Sequence, residues 1–252
     1  MEPILKVDNL TKVFNRKGQP PLIAVDHISF AVEPGQCLGI IGESGSGKST
    51  AAGMITRLTD ATEGMIILDG EDITHKKGRQ LQSAYHKMQM VFQTPTESFD
   101  PRHTLGDGVG ESLRNSGMTP AQVKVEVEKL LSMCGLTTDF AKRYPHQVSV
   151  GQCQRAAIAR AIAIQPKLLI CDEATSALDV TIQTEILALL SDLRRELNLS
   201  ILFICHDIAL VQQFCDWVLV MYKGRIVEEG IPDEVIRNPQ NDYTKRLIES
   251  IL

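Results

Sequence analysis

Residues 37–50 read CLGIIGESGSGKST, a short apolar run followed at once by a glycine-rich segment. The segment fits the pattern G-x-x-x-x-G-K-[ST] with an extra glycine, and consists of Gly42, Glu43, Ser44, Gly45, Ser46, Gly47, Lys48, Ser49 and Thr50. Glycines allow successive backbone N–H groups to curl around a phosphate without Cβ clashes. In such a loop Lys48 reaches the β- and γ-phosphates and Ser49 ligates Mg²⁺. An ordinary glycine-rich turn is the alternative, but the strand-like run before it and the helix-compatible segment after it favour a nucleotide site.

Two adjacent carboxylates end another apolar run. Asp172 and Glu173 follow the sequence Leu-Leu-Ile-Cys at residues 168–171. Ligands of open α/β sheets collect at the carboxyl ends of strands, where Asp172 would hold Mg²⁺ through water and Glu173 would polarise the water that attacks the γ-phosphate. An acidic residue at a strand end is often only a helix cap, so this prediction depends on the phosphate loop.

His206 follows a third apolar run, residues 200–205. Imidazole can donate and accept hydrogen bonds near neutral pH, so His206 could bridge the γ-phosphate and the attacking water. A histidine after a strand is more often a structural turn residue. Its position after the acidic strand favours the functional interpretation.

The order of the apolar runs predicts the fold class. Four short runs rich in β-branched residues are typical of buried central strands: 37–41, 167–171, 200–205 and 217–222. Helical patterns follow the first three of these runs. Apolar residues recur at helical spacing between Thr181 and Leu197. We therefore expect an α/β protein with a P-loop NTPase (RecA-like) core and a mainly parallel sheet.

Two further parts differ from this alternation. The first forty residues combine apolar positions with turn signals such as Pro34-Gly35, which predicts a small N-terminal antiparallel sheet. Residues 94–152 begin with proline and polar residues, and Thr119-Pro120 then opens an amphipathic helix. We expect one domain over residues 1–252, with a core of 1–93 and 153–252 and an inserted α-helical subdomain of 94–152.

Composition narrows the function. The formal net charge of −5 and the pI near 5.7 offer no basic face, so we expect no nucleic-acid partner. No apolar run approaches the roughly 20 residues needed to cross a bilayer, and no basic, apolar leader is visible, which predicts a protein that is soluble and not exported. The six cysteines lack zinc-site spacing, and Cys171 and Cys205, which lie inside apolar runs, are interpreted as buried thiols.

Further segments resemble the ABC transporter ATPase family, in the family's order and over nearly the whole chain. Gln93 resembles the residue of the family's Q-loop, and Ser176-Ala177-Leu178-Asp179 resembles its D-loop. The segment containing Ser149, Gly151 and Gln152 is similar to the signature motif, and His206 to the switch histidine. The resemblance implies ATP hydrolysis with Mg²⁺, two ATPase subunits arranged head to tail, and two transmembrane permease subunits.

The resemblance also implies roles for single residues. Gln93 would contact Mg²⁺ and sense the γ-phosphate, and Asp179 would communicate across the dimer. Ser149, Gly151 and Gln152 would bind ATP held by the partner's phosphate loop. Phe14 resembles the aromatic residue that stacks on adenine, with a buried strand residue as the alternative.

A narrower likeness concerns the peptide/nickel importer branch of the family. Residues 92–102, residues 172–180 and the tail with Asn238-Pro239 and Tyr243-Thr244 resemble that branch, and residues 98–102 resemble the second of its two different ATPases. The likeness implies a heterodimer with a non-identical ATPase on the cytoplasmic face of a prokaryotic cell membrane. It further implies an extracellular binding protein that delivers peptides, nickel or metal chelates.

The signature departs from the family pattern at one position. The family usually has Leu-Ser-Gly-Gly-Gln, whereas this chain has Val-Ser-Val-Gly-Gln at residues 148–152. Val150 adds a branched Cβ where the backbone would approach nucleotide, so we expect the ATP site that this signature completes to be weakened.

Four alternatives remain at this point, and the presence of both Lys48 and Glu173 argues against the first, a non-catalytic interaction module. A soluble ABC ATPase in DNA repair or on ribosomes would usually carry a coiled-coil insertion or two ATPase units. A small P-loop GTPase or kinase would not need the signature-like element or His206. An exporter ATPase shares every motif, and only the branch likeness favours import.

Overall fold

The computed structural model describes residues 2–15, 18–176 and 178–249, and the strands of this part form two sheets. A six-stranded sheet has the order β10-β9-β3-β8-β7-β6, and a four-stranded sheet has the order β2-β1-β4-β5. The strands are β1 Leu5–Phe14, β2 Leu22–Val32, β3 Cys37–Ile41, β4 Glu63–Leu68, β5 Glu71–Asp72, β6 Met88–Val91, β7 Leu168–Asp172, β8 Ser200–Ile204, β9 Trp217–Tyr222 and β10 Arg225–Gly230.

Ten α-helices connect and cover these strands in the part of the chain that the structure describes. They are α1 Lys48–Ile55, α2 Gln82–Lys87, α3 Leu105–Val109, α4 Glu111–Asn115, α5 Pro120–Met133, α6 Val150–Ile162, α7 Val180–Leu197, α8 Ile208–Phe214, α9 Pro232–Arg237 and α10 Asp242–Glu249. The predicted fold class is confirmed.

The six-stranded sheet is parallel from β9 to β6, and only β10 runs antiparallel to its neighbour. Every residue of β3 and β8 is buried, as continuous apolar runs in a covered parallel sheet require. Because parallel strands end at the same edge, the segments after β3, β7 and β8 meet there. These segments carry the phosphate loop, the acidic pair and His206.

The antiparallel sheet is larger than predicted. The expectation limited it to the first forty residues, but β4 pairs with β1, and β5 pairs with β4. The sequence EGMIIL of β4 has only a short apolar run, and pairing with β1 rather than local pattern makes it a strand.

The helices after the Gln93 segment begin as their sequences predict. Thr119 caps α5 by accepting a hydrogen bond from the Gln122 N–H, and Oε1 of Gln122 accepts one from the Thr119 N–H. The helix has one buried apolar face, as the predicted amphipathic helix requires, formed by Val123, Val127, Leu130 and Leu131. The predicted boundary between residues 152 and 153 falls inside α6, so the division into subdomains stays a prediction.

All six cysteines are free and buried. Burial raises the pKa of the Cys205 thiol to about 12, which keeps it protonated at neutral pH. Within the described ranges, no helix has the length and apolar character that a bilayer crossing requires.

Candidate functional site: a phosphate loop beside a carboxylate pair

The loop from Gly42 to Gly47 needs two of its glycines for steric reasons. Gly42 has a φ of +151°, and a Cβ there would lie 2.2 Å from the Met221 carbonyl oxygen. Gly47 has a φ of +107°, and its Cβ would lie 2.4 Å from the Ala24 carbonyl oxygen. Gly47 is also the N-cap of α1 and has no side chain to accept from the N–H groups of the first turn. These groups and the helix dipole remain for an anion.

Lys48 is buried at the base of this loop, with 4% of its surface exposed. Its Nζ donates to the carbonyl oxygens of Gly42 at 2.7 Å and Glu43 at 2.9 Å. Burial lowers the pKa of Lys48, and the nearby charges of Glu173 and Asp172 oppose that shift. The ammonium group is therefore held by two neutral acceptors beside a loop built for an anion.

Ser49 and Asp172 come together although they are far apart in sequence. The Ser49 hydroxyl donates to Oδ1 of Asp172 at 3.1 Å. Burial raises the pKa of Asp172, the charge of Glu173 adds to the rise, and the hydrogen bond from Ser49 opposes it. A nearby cation would relieve this buried negative charge.

Glu173 lies at the centre of a small hydrogen-bond network. Its carboxylate Oε2 accepts from Nε2 of Gln93 at 2.8 Å, and its backbone oxygen accepts from the Ser176 hydroxyl at 2.9 Å. The backbone of Glu173 has a φ of +48°, and its N–H donates to the Ile204 carbonyl at 2.9 Å. A non-glycine residue in this left-handed conformation is strained, and such strain concentrates at functional sites.

His206 follows β8 and precedes α8, at the sheet edge predicted for it. Its side chain is exposed, and none of the described residues forms a hydrogen bond with its ring. The next residue, Asp207, caps α8 by accepting from the N–H groups of Ala209 and Leu210. The imidazole is therefore available to a ligand at this edge.

A cavity of about 620 Å³ joins the phosphate loop to the antiparallel sheet. Lys48, Ser49 and Glu173 line one end of it and Phe14 lines the other. Phe14 is 39% exposed, and Nζ of Lys12 lies 5.0 Å from its ring centroid. The alternative of a buried strand residue is wrong for Phe14, and its open ring face can stack on an aromatic base.

The signature-like residues form the start of α6, outside this cavity. The Ser149 hydroxyl accepts from the Gln152 N–H, and Oε1 of Gln152 accepts from the Ser149 N–H. Val150 is 43% exposed and has no positive φ, so its position in this chain imposes no glycine conformation. A Cβ on Gly151 would lie 2.8 Å from Cγ2 of Ile182 in α7, so this glycine permits close packing of the two helices.

Comparison with known proteins identifies the family. The family described as ABC transporter matches residues 25–176. The oligopeptide transport ATP-binding protein OppF of Salmonella typhimurium is 44% identical, over 92% of this chain and 71% of its own length. This chain belongs to the ABC transporter ATPase family.

Other relatives agree with this assignment. The glutathione import ATP-binding protein GsiA of Escherichia coli K12 is 43% identical over 99% of this ABC ATPase, which spans only 41% of GsiA. A dimeric, post-hydrolysis structure of the ATP-binding cassette MJ0796 with ADP and Pi superimposes with a TM-score of 0.83 at 29% identity, covering 90% of this chain and 98% of that one. The structure of cbiO1 from Clostridium perfringens gives the same TM-score at 28% identity, covering 94% and 92%. The predictions that this chain binds ATP and is an ATPase are confirmed.

The structure of this ABC ATPase brings together most of the predicted residues of its own ATP site. Lys48, Ser49, Asp172, Glu173 and Gln93 are connected by hydrogen bonds or line one cavity. His206 lies at the same edge and forms no hydrogen bond with them. Ser149, Gly151, Gln152 and Asp179 lie at helix starts, and Ala177 of the predicted D-loop lies outside the described residues.

Sequence reasoning missed several residues around the loop of this ABC ATPase. Ser176 bonds to Glu173, although the prediction gave it only a place in the D-loop. Gly224 donates its N–H to the Ser46 carbonyl at 2.8 Å, and the Tyr243 hydroxyl accepts from the Glu43 N–H at 3.0 Å. The turn at Lys223-Gly224 is visible in the sequence, but nothing local shows that it contacts a loop about 180 residues earlier.

Proposed function

We propose that this ABC ATPase hydrolyses MgATP at the edge of its parallel sheet to energise the import of peptides through a pair of membrane permeases. The observation that carries the proposal is that three segments far apart in sequence meet at one place. Asp172 bonds to Ser49 of the phosphate loop, while the neighbouring Glu173 bonds to Gln93. Glu173 also lines the cavity of Lys48.

The residues of the loop suit the phosphates of ATP. Gly42, Glu43, Ser44, Gly45, Ser46, Gly47, Lys48, Ser49 and Thr50 would surround them, with adenine against Phe14. Lys48 would exchange its two carbonyl acceptors for phosphate oxygens, which form stronger, charge-assisted hydrogen bonds. Burial strengthens this interaction because the surrounding dielectric is low.

Glu173 is the proposed general base. Its carboxylate would accept a proton from the attacking water, and Gln93 fixes its orientation through a 2.8 Å hydrogen bond. His206, which is exposed and forms no hydrogen bond with the described residues, would donate to the γ-phosphate and accept from the water. Positioning and electrostatic stabilisation supply most of the catalysis in phosphoryl transfer.

Ser49, Asp172 and Gln93 fit a magnesium ion. A hydroxyl, a carboxylate and an amide oxygen are hard donors of the kind that Mg²⁺ prefers. Gln93 uses its amide nitrogen on Glu173, which leaves its amide oxygen for the ion. When bound, the ion would neutralise charge that develops on the phosphates.

The second half of each ATP site would come from another subunit. Ser149, Gly151 and Gln152 at the start of α6 would offer a hydroxyl, N–H groups and a helix dipole to the γ-phosphate held by the partner. Asp179, the N-cap of α7, would relay contacts across this interface. The likeness to the second ATPase of the importer branch favours a heterodimer at the cytoplasmic face of a prokaryotic membrane.

The cargo follows from the relatives. OppF is an oligopeptide transport protein and GsiA a glutathione import protein, so we favour peptides over nickel or metal chelates. An extracellular binding protein would deliver the cargo. A soluble ABC ATPase or an exporter subunit is the alternative that the transport assay below distinguishes.

A second cavity provides a place for the permeases. It measures about 400 Å³ and lies between β6 and the helices α3 and α4. Its lining includes three exposed apolar residues, Leu58, Tyr85 and Phe92, and the cation Arg160. Phe92 directly precedes Gln93 in the sequence. A permease helix that contacts Phe92 would therefore be one residue away from the side chain proposed to sense the γ-phosphate. An apolar patch of this kind marks a protein contact.

The proposal is tested by measuring ATP hydrolysis and peptide uptake. The chain is assayed alone, with its permeases, and with the permeases and the second ATPase in proteoliposomes. We expect turnover to rise sharply only in the full complex and to accompany peptide uptake. Full turnover in the isolated chain, unchanged by the permeases, would indicate a soluble ATPase, and peptide efflux would indicate an exporter.

Replacing Leu58 by glutamate should prevent docking of the permeases. Leu58 is 62% exposed, so the change leaves the core intact but places a charge in the apolar groove. Complex formation and permease-stimulated turnover should fall by at least about tenfold, as one buried charge costs more than 1.4 kcal/mol. Val125→Glu is the matched control because Val125 is 66% exposed on α5, outside the groove. Equal behaviour of the two variants would contradict the docking site.

Replacing Val150 by glycine should raise ATP turnover of the complex. The side chain of Val150 is exposed at the start of α6, where it would crowd the nucleotide of the partner subunit. Val150→Ala keeps the helix propensity and should give a smaller rise. Turnover is measured at saturating ATP in the reconstituted complex, and no change in either variant would show that the signature tolerates valine.

A further inference from the structure

Helix α10 contacts the backbone of the phosphate loop through one tyrosine. The hydroxyl oxygen of Tyr243 accepts a hydrogen bond from the backbone N–H of Glu43 at 3.0 Å. Tyr243 is only 4% exposed, and the loop supplies the one hydrogen bond that its hydroxyl receives within the described residues. A buried hydroxyl needs a hydrogen-bond partner, and here the phosphate loop supplies it.

The same peptide group is held at its other end by Lys48. The N–H of Glu43 and the carbonyl of Gly42 belong to one peptide bond, and no peptide bond in the described residues is cis. In a trans peptide these two groups point in opposite directions. The carbonyl accepts from Nζ of Lys48 at 2.7 Å, while the N–H donates to Tyr243. One rigid plane thus connects Tyr243 to the lysine of the loop.

We infer that Tyr243 is a positioning residue that fixes the Gly42-Glu43 peptide and thereby holds the loop and Lys48 ready for ATP before ATP arrives. The inference rests on the proposed assignment of this loop as the ATP site. Gly42 has no Cβ and a φ of +151°, so nothing in its own side chain prevents rotation of the peptide. The hydrogen bond from the Glu43 N–H to Tyr243 restrains this rotation, together with the bond from Lys48 to the Gly42 carbonyl.

Tyr243 is itself held rigidly. Its ring stacks on the ring of Tyr222, with centroids 4.0 Å apart and an interplanar angle of 25°. Its N–H donates to Oδ1 of Asn241 at 2.8 Å, and the Asn241 N–H donates to the carboxylate of Glu228 at 3.0 Å. Burial raises the pKa of Tyr243, so the hydroxyl stays neutral near pH 7.

The ring stack also connects the loop to β9 and β10. Tyr222 ends β9, and two residues later the N–H of Gly224 donates to the Ser46 carbonyl at 2.8 Å. The chain after residue 217 therefore forms hydrogen bonds with the loop at two points, the N–H of Glu43 and the carbonyl of Ser46. A loop restrained at two points loses little conformational entropy when the nucleotide binds.

The expected effect lies in binding rather than in chemistry. Without the Tyr243 hydroxyl, a fraction of the empty protein would have a rotated Gly42-Glu43 peptide that cannot bind ATP. The apparent affinity falls by the fraction that remains competent. At saturating ATP the bound nucleotide restores the productive loop, so kcat stays unchanged.

The test compares Tyr243→Phe with Tyr222→Phe. Both variants keep the ring stack, but only the first removes the acceptor of the Glu43 N–H. We expect Tyr243→Phe to raise the Kd for a fluorescent ATP analogue, and the KM for ATP in the complex, by about three- to tenfold. Unchanged kcat and a similar melting temperature should accompany this rise. A Kd equal to that of Tyr222→Phe would overturn the inference.

A second variant removes the donor instead of the acceptor. Proline has no backbone N–H, so in Glu43→Pro the hydroxyl of Tyr243 has nothing to accept. In the Glu43→Pro protein, Tyr243→Phe should change the Kd less than about twofold, because the hydrogen bond that it would remove is already absent. A full additional loss would show that Tyr243 acts by another route. Lys48→Ala separates this inference from the proposed site: if that variant still bound ATP normally, the site assignment itself would fail.

Discussion

Replacing Glu173 by glutamine is expected to lower ATP turnover of the complex by about 100- to 10,000-fold, the usual contribution of a general base. The amide cannot accept the proton of the attacking water. Its oxygen can still accept from Nε2 of Gln93, which now lies 2.8 Å from the carboxylate, so the geometry should persist. ATP binding should be kept, and the variant should accumulate bound ATP.

The measurement is phosphate release by the reconstituted complex, with ATP binding followed separately. Glu229→Gln is the control because Glu229 is an exposed carboxylate on β10. Turnover of Glu173→Gln within a few-fold of the unchanged protein would remove Glu173 from the mechanism. In that case the strained backbone of Glu173, with its φ of +48°, would need another explanation.

Replacing Lys48 by alanine is expected to weaken ATP binding by at least about 100-fold, since hydrogen bonds to charged groups contribute roughly 1.5–3 kcal/mol each. The change removes the ammonium group that would face the phosphates. It also leaves the carbonyl oxygens of Gly42 and Glu43 without their donor. Turnover should fall in proportion at low ATP.

Binding is measured by titration with a fluorescent ATP analogue. Lys124→Ala is the control, because Lys124 is an exposed lysine of α5. A thermal melt shows whether Lys48→Ala folds. Normal ATP binding by a folded Lys48→Ala protein would contradict the assignment of the loop.

The sequence predicted those parts of the site that lie next to buried strands. The loop after β3 and the carboxylates after β7 follow from an apolar run with a polar end, a signal contained in about ten residues. The parallel arrangement then brings Ser49 to Asp172 because both strands end at one edge. Phe14 lies on the wall of the cavity, and its contact with adenine stays a prediction made from resemblance.

The parts that the sequence could not predict depend on contacts between distant segments. The strand β4 exists because β1 pairs with it, and its own six residues carry a weak signal. The bond between Tyr243 and Glu43 joins residues 200 positions apart, and no local pattern distinguishes this tyrosine from an ordinary core residue. Gly151 is similar: its need for a hydrogen in place of Cβ becomes visible only with Ile182 beside it.

The contact between Gly151 and Ile182 joins the starts of α6 and α7 into one rigid unit. A Cβ on Gly151 would lie 2.8 Å from Ile182, so the helices touch with no spare room, and packed interiors transmit displacement rather than absorb it. Asp179 caps the same helix by accepting from the Ile182 N–H. Under the proposed roles, ATP that binds Ser149 would displace the start of α6. The start of α7, with Asp179, would then move with it. Each subunit would thereby couple the two ATP sites of the dimer, so that closure at one site requires closure at the other.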